Sequence, residues 1–473
     1  MPRTVNKTLA FPLAGVVRRG AYRDQTRPYS APWAVNVRGS APLEGRERGG
    51  SRPGLVTIAG VTTTAEGDWE WDDGETIEWE ASGGDMTYDY AETLIEASDG
   101  TEIINPASLI SVIADTGEAP TDYTISCLYR DRVILGKGAL WYASRAGDHA
   151  DWDYGAEMTD VGRAVAGTVE LAGQTGGDLT AIIPHRDQAL IFATKNSLHV
   201  LSGDPVTGKL QVVDEDIGII APYGWALNGE ELAFLSNDGV YVGKVGSKPT
   251  RFSEGRIPDE LKNVDVDNNT VVMAYDPGAR GFHLFITPGT GTGSHYFLDL
   301  GNKAVWPVVF GDDGHQPIVA ARIKSENLER VYLQGRDTTW REFVSSAVDD
   351  DGETLQSHVL VGPVRISADD VRDAMLAEIH GILAQDIGST VTWRVVMGES
   401  AENTADTAVT AVNAVLASGT PVGVAASGTW SEGRNMVNRP RSRGPWVIVW
   451  ISAETKWAYE AVAIVARQLG RNR

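Results

Sequence analysis

A recurring pair of apolar runs organises residues 121–348. In each repeat an apolar core of about five residues precedes a polar turn and a second run of alternating apolar positions, which is typical of paired β-strands. The five cores are centred on Leu135, Phe192, Phe234, Phe285 and Leu333, at spacings of 57, 42, 51 and 48 residues. A four-stranded propeller blade takes about 40–50 residues. The pattern therefore predicts a mainly β protein containing a β-propeller of about five or more four-stranded blades. A pair of antiparallel sandwiches is the alternative.

Residues 55–120 combine a strand pattern with an acidic, aromatic-rich insertion. Leu55–Thr64 is rich in β-branched residues and predicts a strand, which would close the propeller ring. From Glu66 to Asp99 the chain has thirteen Asp and Glu and no Lys or Arg. Trp69 and Trp71 precede a turn and Trp79 follows it, which indicates a hairpin. We expect an exposed β insertion, with a disordered tract as the alternative.

Residues 349–473 predict a small C-terminal domain of α+β or β-sandwich type. Three apolar runs in this part of the chain have the composition of strands. The spacing of apolar residues in Ala401–Ala417 predicts a helix. The local pattern of Asp369–Leu383 is also helical.

The N-terminal residues 1–54 end in a basic, turn-rich segment. Gly20–Leu55 contains six arginines against three acidic residues, together with prolines and glycines that prevent one long helix or strand. We expect the segment to be extended and to place guanidinium groups on carboxylates and carbonyls of other elements. The candidate assembly residues are Arg38, Arg46, Arg48 and Arg52, with Trp69, Trp71 and Trp79 of the insertion. A solvated arm is the alternative.

Bulk composition limits the function classes. The net charge is −23, which argues against general nucleic-acid affinity because that affinity depends on clustered Lys and Arg. The single cysteine, Cys127, excludes an intrachain disulfide framework and is expected to be a small buried apolar residue. No apolar run is long enough for a membrane span, and the N-terminus lacks the apolar core of a signal peptide. We expect synthesis in a cytoplasm and no membrane span.

No catalytic motif is complete. Gly203–Leu210 matches GxxxxGK, but Leu210 stands where a P-loop needs a hydroxyl, and the flanking runs predict a hairpin loop. No HExxH or Gly-x-Ser-x-Gly is present. Calcium at Asp265, Asp267 and Asn269, or at Asp349–Asp351, is a minor alternative. We therefore predict no enzyme activity, no cofactor and no metal.

The basic segment resembles the start of phage virion proteins of the tail-tube or nozzle type. Those chains carry the pattern Asn-Val-Arg … Gly-Arg-x-Arg-Gly-Gly-x-Arg-Pro-Gly-Leu ahead of a β-propeller. The matching residues are Asn36, Val37, Arg38, Gly45, Arg46, Arg48, Gly49, Gly50, Arg52, Pro53, Gly54 and Leu55. A second resemblance lies in residues 433–452 and 457–473. The family resemblance implies a strand over Met375–Leu383, whereas the local pattern of apolar residues there is helical.

The resemblance implies a structural virion protein, a ring component of a short-tailed phage tail that forms part of the DNA ejection conduit. The expected partners are further copies in a homo-oligomeric ring such as a hexamer, neighbouring tail or portal-adaptor proteins, tail fibres, and DNA that passes without specific binding. The expected location is the virion tail, after synthesis in the host cytoplasm. The alternative is a carbohydrate-binding or carbohydrate-active propeller, a receptor-binding module or glycosidase, whose exposed tryptophans stack on sugars. A cellular scaffold propeller is a third possibility, but it lacks a WD-type repeat.

Overall fold

The computed structural model shows a mainly β chain that divides into two compact units. Unit 1 comprises Met1–Ala59, Ser253–Glu260 and Asn268–Arg473, and unit 2 comprises Gly60–Phe252 and Leu261–Asp267. The structure describes residues 4–18, 22, 29–40, 48–58, 68–70, 76–78, 117, 119–156, 158–170, 177–257, 259–324, 329–368, 372–384, 390–438, 440 and 442–471.

The strands follow one another along the chain with one helix among the described residues. The first eleven strands are β1 (Thr4–Leu9), β2 (Ala34–Val35), β3 (Val37–Ser40), β4 (Arg48–Ser51), β5 (Gly54–Thr57), β6 (Asp68–Glu70), β7 (Thr76–Glu78), β8 (Ile125–Tyr129), β9 (Arg132–Lys137), β10 (Leu140–Ala143) and β11 (Val165–Thr168). The next twelve are β12 (Leu179–His185), β13 (Ala189–Thr194), β14 (Leu198–Ser202), β15 (Lys209–Asp214), β16 (Trp225–Leu227), β17 (Glu231–Ser236), β18 (Gly239–Lys244), β19 (Thr250–Arg251), β20 (Asn269–Asp276), β21 (Gly281–Pro288), β22 (Ser294–Asp299) and β23 (Ala304–Val308). The remainder are β24 (Pro317–Lys324), β25 (Glu329–Gly335), β26 (Trp340–Val344), β27 (Ser357–Arg365), β28 (Arg372–Leu383), β29 (Val391–Gly398), α1 (Ala401–Ser418), β30 (Ala426–Trp430), β31 (Gly433–Asn438), β32 (Arg443–Gly444), β33 (Trp446–Ala453) and β34 (Ala458–Arg471).

Unit 2 contains three four-stranded antiparallel sheets, each built from consecutive strands: β8–β11, β12–β15 and β16–β19. The first two pack through Trp141 and Phe192, whose ring centroids lie 5.3 Å apart, and the first strands β8 and β12 lie side by side. The second and third pack through a cluster that includes Ile191 and Phe234. Successive sheets that meet face to face, with adjacent first strands, are typical of propeller blades.

Unit 1 contains two further four-stranded antiparallel sheets, β20–β23 and β24–β26 with β5. β5 comes from the N-terminal region and pairs with β26 along Thr57↔Arg341 to Gly54↔Val344. The predicted strand at Leu55–Thr64 therefore exists over Gly54–Thr57, where it completes a sheet, and residues 59–64 lie outside the described residues.

The five predicted repeat positions occupy equivalent places. Each lies in the second strand of its sheet, namely β9, β13, β17, β21 or β25, and each is buried: Leu135, Phe192, Phe234, Phe285 and Leu333. The prediction of matched strand pairs is confirmed, because an apolar five-residue run flanked by turns is buried on both faces only in an inner strand.

The rest of unit 1 is two larger sheets and the helix. One has the order β2-β27-β33-β29-β30, and the other has the order β3-β4-β34-β28-β31 with β1 on β34 and β32 on β28. Trp430 of the first sheet lies against Gly381 of the second, where a Cβ would come within 2.7 Å of the ring. The two sheets thus pack as a sandwich.

The helix α1 covers the five-stranded sheet. Ser400 caps its N-terminus by accepting a hydrogen bond from Asn403 N at 3.1 Å, and Gly419 ends it at φ 71°. Ala408 and Val412 pack on Trp450 of β33. The predicted helix over Ala401–Ala417 is confirmed.

The two interpretations of Asp369–Leu383 are resolved in favour of a strand. Arg372–Leu383 is β28, which includes the strand over Met375–Leu383 that the family resemblance implies, because its neighbours β34 and β31 satisfy its backbone. The compact units have other boundaries than the four predicted segments 1–54, 55–120, 121–348 and 349–473. β1 and β4 pair with β34, β2 pairs with β27 and β3 pairs with β4, so strands of residues 1–54 belong to the same sheets as strands of residues 349–473.

Candidate functional site

The site with the densest polar contacts in unit 1 is centred on Arg52, between β4 and β5. Arg52 Nη1 donates to Asp350 Oδ1 at 2.9 Å and Nη2 donates to Asp350 Oδ2 at 2.5 Å. Both side chains are buried, at 3% and 1% exposure. A bidentate contact of this kind is the geometry in which a buried carboxylate and guanidinium compensate each other's loss of water.

Asn36 joins this ion pair to two other chain segments. Its Oδ1 accepts from Arg52 Nε at 3.0 Å and from Val309 N at 2.8 Å, and its Nδ2 donates to the carbonyls of Val309 and Gln356. Its backbone lies in the left-handed region at φ 53°, which Asn tolerates better than most residues. Arg52 N also donates to Asn36 O at 2.8 Å. Residues 36, 52, 309 and 356 are thereby held at one point.

Two glycines allow the chain to approach this point closely. A Cβ on Gly50 would lie 1.9 Å from Trp457 O, and a Cβ on Gly54 would lie 1.9 Å from Asp349 O. No other residue type fits at either position without a backbone shift. Leu55, next to Gly54, is buried and its N donates to Asp350 Oδ1 at 3.2 Å.

Aromatic rings enclose the guanidinium. Arg52 Cζ lies 5.0 Å from the centroid of Phe310 and 5.5 Å from that of Phe343. His283 stacks on Phe343 with centroids 4.9 Å apart and an angle of 13° between the planes. Ring faces attract the cation and keep water away from the ion pair.

A second cation, Arg38, lies near the same cluster. Its Cζ is 4.9 Å from the centroid of Phe297. Burial lowers the pKa of Arg38 to about 10, while the charge of Asp276 opposes that change, so the group stays charged at neutral pH. Asp276 Oδ2 lies 3.4 Å from His283 Nε2. Burial acts to raise the pKa of Asp276, but its hydrogen bonds with His283 and Ala279 N and the nearby charge of Arg38 lower that pKa to about 2.

Two buried histidines of this cluster, His283 and His295, are neutral hydrogen-bond partners. His295 Nε2 lies 2.7 Å from Gln316 Oε1, which also accepts from Gly293 N, so Nε2 carries the proton. Burial lowers the pKa of His295 to about 4 and also lowers the pKa of His283. Both groups are therefore uncharged at neutral pH.

A partly exposed extension of the network, built on the buried Arg341, anchors β5. Asp351 accepts from Thr57 and from Arg341 Nε at 2.9 Å, and Arg341 also donates to Asp337. The carboxylates of Asp350 and Asp351 are thus bound by arginines, which disfavours the calcium alternative at Asp349–Asp351. Among the described residues, no group of three or more His, Cys, Asp and Glu could hold a metal ion.

The arrangement fixes chain segments to one another. Asp350 and Asp351 are bound by arginines, and His283 and His295 are neutral and lie against phenylalanine rings. A joint between sheets is the role that these contacts support.

The predicted assembly residues are distributed unevenly. Arg38 and Arg52 meet in this cluster, and Arg48 begins β4 with a half-buried side chain. Arg46, Trp71 and Trp79 lie outside the described residues. Trp69 lies in β6, which pairs with β7 as Trp69↔Ile77, so the predicted hairpin is present.

Sequence reasoning missed most partners of Arg52. Asn36 lies in the Asn-Val-Arg pattern, which marks it in the sequence. Asp350 and Phe343 lie about 300 positions away from Arg52, and no sequence pattern identifies them as its partners.

The sequence analysis also missed Arg132 in unit 2, which is fully buried. Arg132 Nη1 donates to the carbonyls of Ser144, Gly162 and Arg163, and Nη2 donates to that of Val161.

Two smaller predictions have clear outcomes. Gly203–Gly208 is the loop of the β14–β15 hairpin, as expected. Cys127 lies in β8, half-buried and not fully buried, beside the cluster of Trp141 and Phe192, and burial raises the pKa of its thiol to about 12. A thiol with that pKa is a poor nucleophile.

A cleft of about 310 Å³ lies in unit 1 between β1 and β27. Among the described residues, its lining includes Lys7, Tyr29, Arg365 and Trp446 but no carboxylate, whereas a glycosidase requires two.

The comparisons with known proteins are weak. No protein-family model matches the chain, and no curated protein matches it. The chain is similar to the N-terminal domain of Nup159, at 12% identity and TM-score 0.28 over 51% of this chain and 72% of that one. It is also similar to the extracellular domain of BT4673 from B. thetaiotaomicron, at 9% identity and TM-score 0.30 over 52% of this chain and 32% of that one.

A third similar structure, U3-55K, has 8% identity and a TM-score of 0.27 over 71% of this chain and 97% of that one. Likenesses at these scores carry no argument about fold or function, and the chain spans only about a third of the BT4673 domain. Within the described part of the chain, no helix is long and apolar enough to span a membrane.

Proposed function

We propose that the chain is a structural virion protein, a nozzle-like or tube-like ring component of a phage tail that forms part of the DNA ejection conduit. One observation carries the proposal. Five of the twelve residues that match the tail-protein pattern hold the sheets of unit 1 together, namely Asn36, Gly50, Arg52, Gly54 and Leu55. The resemblance therefore concerns residues that hold the fold together, and it does not depend on catalytic residues.

A joint of this kind suits a protein that bears mechanical load. It ties residues 36, 52, 309, 350 and 356 together through a buried ion pair and an amide with four hydrogen bonds. Breaking a buried pair of this kind leaves an uncompensated charge, which costs about 3–5 kcal/mol. We infer that the N-terminal segment locks the fold before assembly.

We also propose that the five four-stranded sheets are blades of one propeller. The second strands carry equivalent buried residues, and β5 adds the outer strand of the last sheet, as a closing strand of a ring would do.

The charge supports a conduit. A passage for DNA must not bind phosphates, and a net charge of −23 with an acidic tract at Glu66–Asp99 repels them. In this proposal, copies of the chain contact one another in the ring, and the ring contacts neighbouring tail proteins.

Electron microscopy tests the proposal. Gold-labelled antibody against the chain should decorate the tails of virions that carry the gene, and the purified protein should form rings in negative stain. Label on heads or its absence from virions would overturn the assignment. Binding or cleavage of host-surface glycan that is lost on changing one carboxylate would instead favour the carbohydrate-active alternative.

The conduit claim has its own test. Replacing several carboxylates of Glu66–Asp99 by Lys should slow genome ejection at low salt, and added salt should restore the rate. Substituting the same number of carboxylates by Gln is the matched control, since it removes charge without adding cations. Normal ejection by the Lys variant at low salt would contradict the claim.

A further inference from the structure

The cleft between β1 and β27 is bordered by two strand edges that have a neighbour on one side only. β1 pairs with β34, and β2 covers the open side of β27 only at His358 and Val359. In the described part of the chain, no further strand pairs with either edge. Alternate residues of an edge strand direct their backbone N–H and C=O groups away from the paired side. The cleft is therefore bordered by hydrogen-bond donors and acceptors in fixed positions.

A lysine reaches this cleft from the buried face of the seven-stranded sheet. Lys7 lies opposite Ile464, which is 1% exposed, and Leu9 lies opposite the fully buried Val462. Directly opposite residues of an antiparallel pair share a face, so Lys7 lies on the face that carries the apolar core. Lys7 is exposed and lines the cleft, and it has no hydrogen bond or ion pair to a described residue. Its ammonium group is thus available to an anion.

The rest of the lining supplies a second cation and ring surfaces. Arg365 is half-buried, and its Nε donates to Ser367 Oγ at 3.3 Å, which orients the guanidinium. Tyr29 is half-buried, and Tyr22 and Trp446 are 7% and 6% exposed. Small-ligand sites combine ring surfaces with a few fixed polar groups in about 300–1,000 Å³. At about 310 Å³, the cleft suits a ligand of the size of a monosaccharide.

The two edges are poorly suited to an added peptide strand. The register of β27 with β33 shifts between Val361 and Val364, and Pro363 has no N–H to donate. The inward charge of Lys7 on the edge of β1 also opposes strand addition. A regular ladder of main-chain hydrogen bonds therefore cannot continue along β27. A ligand with separate hydroxyl groups can use the same backbone groups, because it needs no strand register.

The charge of the described lining selects an anion. It includes Lys7 and Arg365, whereas none of its described residues is Asp or Glu. A carboxylate carries one negative charge, which matches the single lysine that has no ion pair, whereas a phosphate ester carries nearly two. The lining therefore favours a carboxylate over a phosphate.

We propose that the cleft between β1 and β27 binds an acidic sugar residue, a hexose whose ring carries a carboxylate. The carboxylate would accept a hydrogen bond from Lys7 Nζ, and the hydroxyls would bond to backbone groups of the two strand edges. The apolar face of the sugar ring would lie against Tyr29. The inference adds a binding function to the chain, and it does not depend on the proposed function as a ring component.

Ligand-observed NMR titration with sugars of different charge tests the site. Glucuronic acid should bind the full chain with a dissociation constant of about 1 mM, as expected for so small a ligand. Glucose has the same ring without the carboxylate and should bind at least about tenfold more weakly. Lys7→Met should weaken the binding of glucuronic acid about tenfold and leave that of glucose unchanged. Lys7→Arg should restore most of the affinity, because it restores the charge.

Lys209→Met is the matched control. Lys209 is also an exposed lysine of a strand, β15, and it does not line the cleft, so this variant should bind glucuronic acid as the wild type does. Thermal melting establishes that each variant is folded. Equal affinity of the wild type for glucuronic acid and glucose, or unchanged binding by Lys7→Met, would overturn the site. Tighter binding of a phosphorylated glucose would overturn the assignment of a carboxylate.

Two further ligands identify the source of the sugar. An oligosaccharide that ends in glucuronic acid should bind whether the cleft takes a free or a terminal residue, and one with glucuronic acid only inside its chain should bind if the cleft takes a polysaccharide segment. Failure of both oligosaccharides would restrict the site to a free sugar acid and would overturn a role in binding surface glycans. An acidic, strand-forming peptide that displaces glucuronic acid at a lower concentration would overturn the proposal in favour of strand addition.

The outcomes also separate this inference from the tail function. Binding that depends on Lys7, in a chain that does not label virion tails, would leave the site standing and remove the tail function. Labelled tails without sugar binding would remove the site and leave the tail function. Dependence on a lysine also differs from the carbohydrate-active alternative, in which binding or cleavage depends on a carboxylate.

Discussion

Two arginines are buried with their charge, and each is stabilised by a different kind of partner. Arg52 in unit 1 is bound bidentately by a buried carboxylate, Asp350, which is 298 residues away in the chain. Arg132 in unit 2 is fully buried and is bound by four backbone carbonyls within 31 residues, with Asp204 at 3.5 Å as its nearest carboxylate. One arginine joins distant segments, and the other shapes a local loop.

The difference lies in what each arginine would leave behind if it were removed. Without Arg52, the charged carboxylate of Asp350, which is 1% exposed, would stay buried without its partner. Without Arg132, neutral carbonyls would lose their donors, and the loop with Val161 and Gly162 between β10 and β11 can turn toward water to recover them. Desolvation of a charge costs far more than desolvation of a carbonyl, so the two sites should respond unequally.

The largest effect should follow from Arg52→Ala. We expect the free energy of unfolding of unit 1 to fall by about 3–5 kcal/mol, because Asp350 would remain buried without a partner. Denaturant unfolding, with hydrogen exchange of β5 as the regional readout, measures the change. Asp350→Leu combined with Arg52→Met should recover much of the loss, since both charges are then removed.

Arg330→Ala is the matched control for that experiment. Its ion pair with Glu342 is solvent-exposed, so the cost should be less than about 1 kcal/mol. Equal losses for Arg52→Ala and Arg330→Ala would contradict the account of the buried pair.

A smaller and more local effect should follow from Arg132→Met. The side chain keeps its volume but loses its donors, and leaving the carbonyls without partners should cost about 1–3 kcal/mol. Hydrogen exchange should accelerate in residues 144–164 while β9 and β10 stay protected. Arg132→Lys should be intermediate, because an ammonium group cannot reach four carbonyls at once. Uniform loss of protection throughout unit 2 would show that the arginine supports more than the loop.

The smallest effect should appear on acidification and is specific to the surroundings of Arg52. Burial lowers the pKa of His295 to about 4 from its ordinary 6.5. Between these values the unfolded chain binds a proton that the folded chain does not, so the stabilisation is present above pH 6.5 and is lost as the pH falls toward 4. The slope is at most about 1.4 kcal/mol per pH unit for this group.

His295→Gln isolates that contribution. The amide can still donate to Gln316 but cannot bind the extra proton. Thermal melting between pH 7 and pH 5 should therefore show a shallower acid slope than the wild type. His283 and Asp276 remain in the variant, so some acid sensitivity should persist. An unchanged slope would place the acid sensitivity elsewhere.

The sequence by itself determined the strands and the helix whose formation depends on residues close together in the chain. Apolar runs of strand length predicted a strand pair in each of the five four-stranded sheets, and the spacing of apolar residues predicted the helix. The pattern of Arg372–Leu383 misled because its alternation of small and charged residues satisfies a helical period as well, and only pairing with β34 and β31 decides between them.

Tertiary structure alone decided which polar residues matter. The sequence contains 41 Lys and Arg and 64 Asp and Glu, and nothing local selects Arg52 with Asp350 among the possible pairs. The selection arises because β5 leaves the N-terminal region to complete the sheet of β26, which brings both side chains into one enclosed place. Burial then makes that pair energetically significant. A buried charge without a partner has a large desolvation cost, whereas an exposed charge is solvated by water.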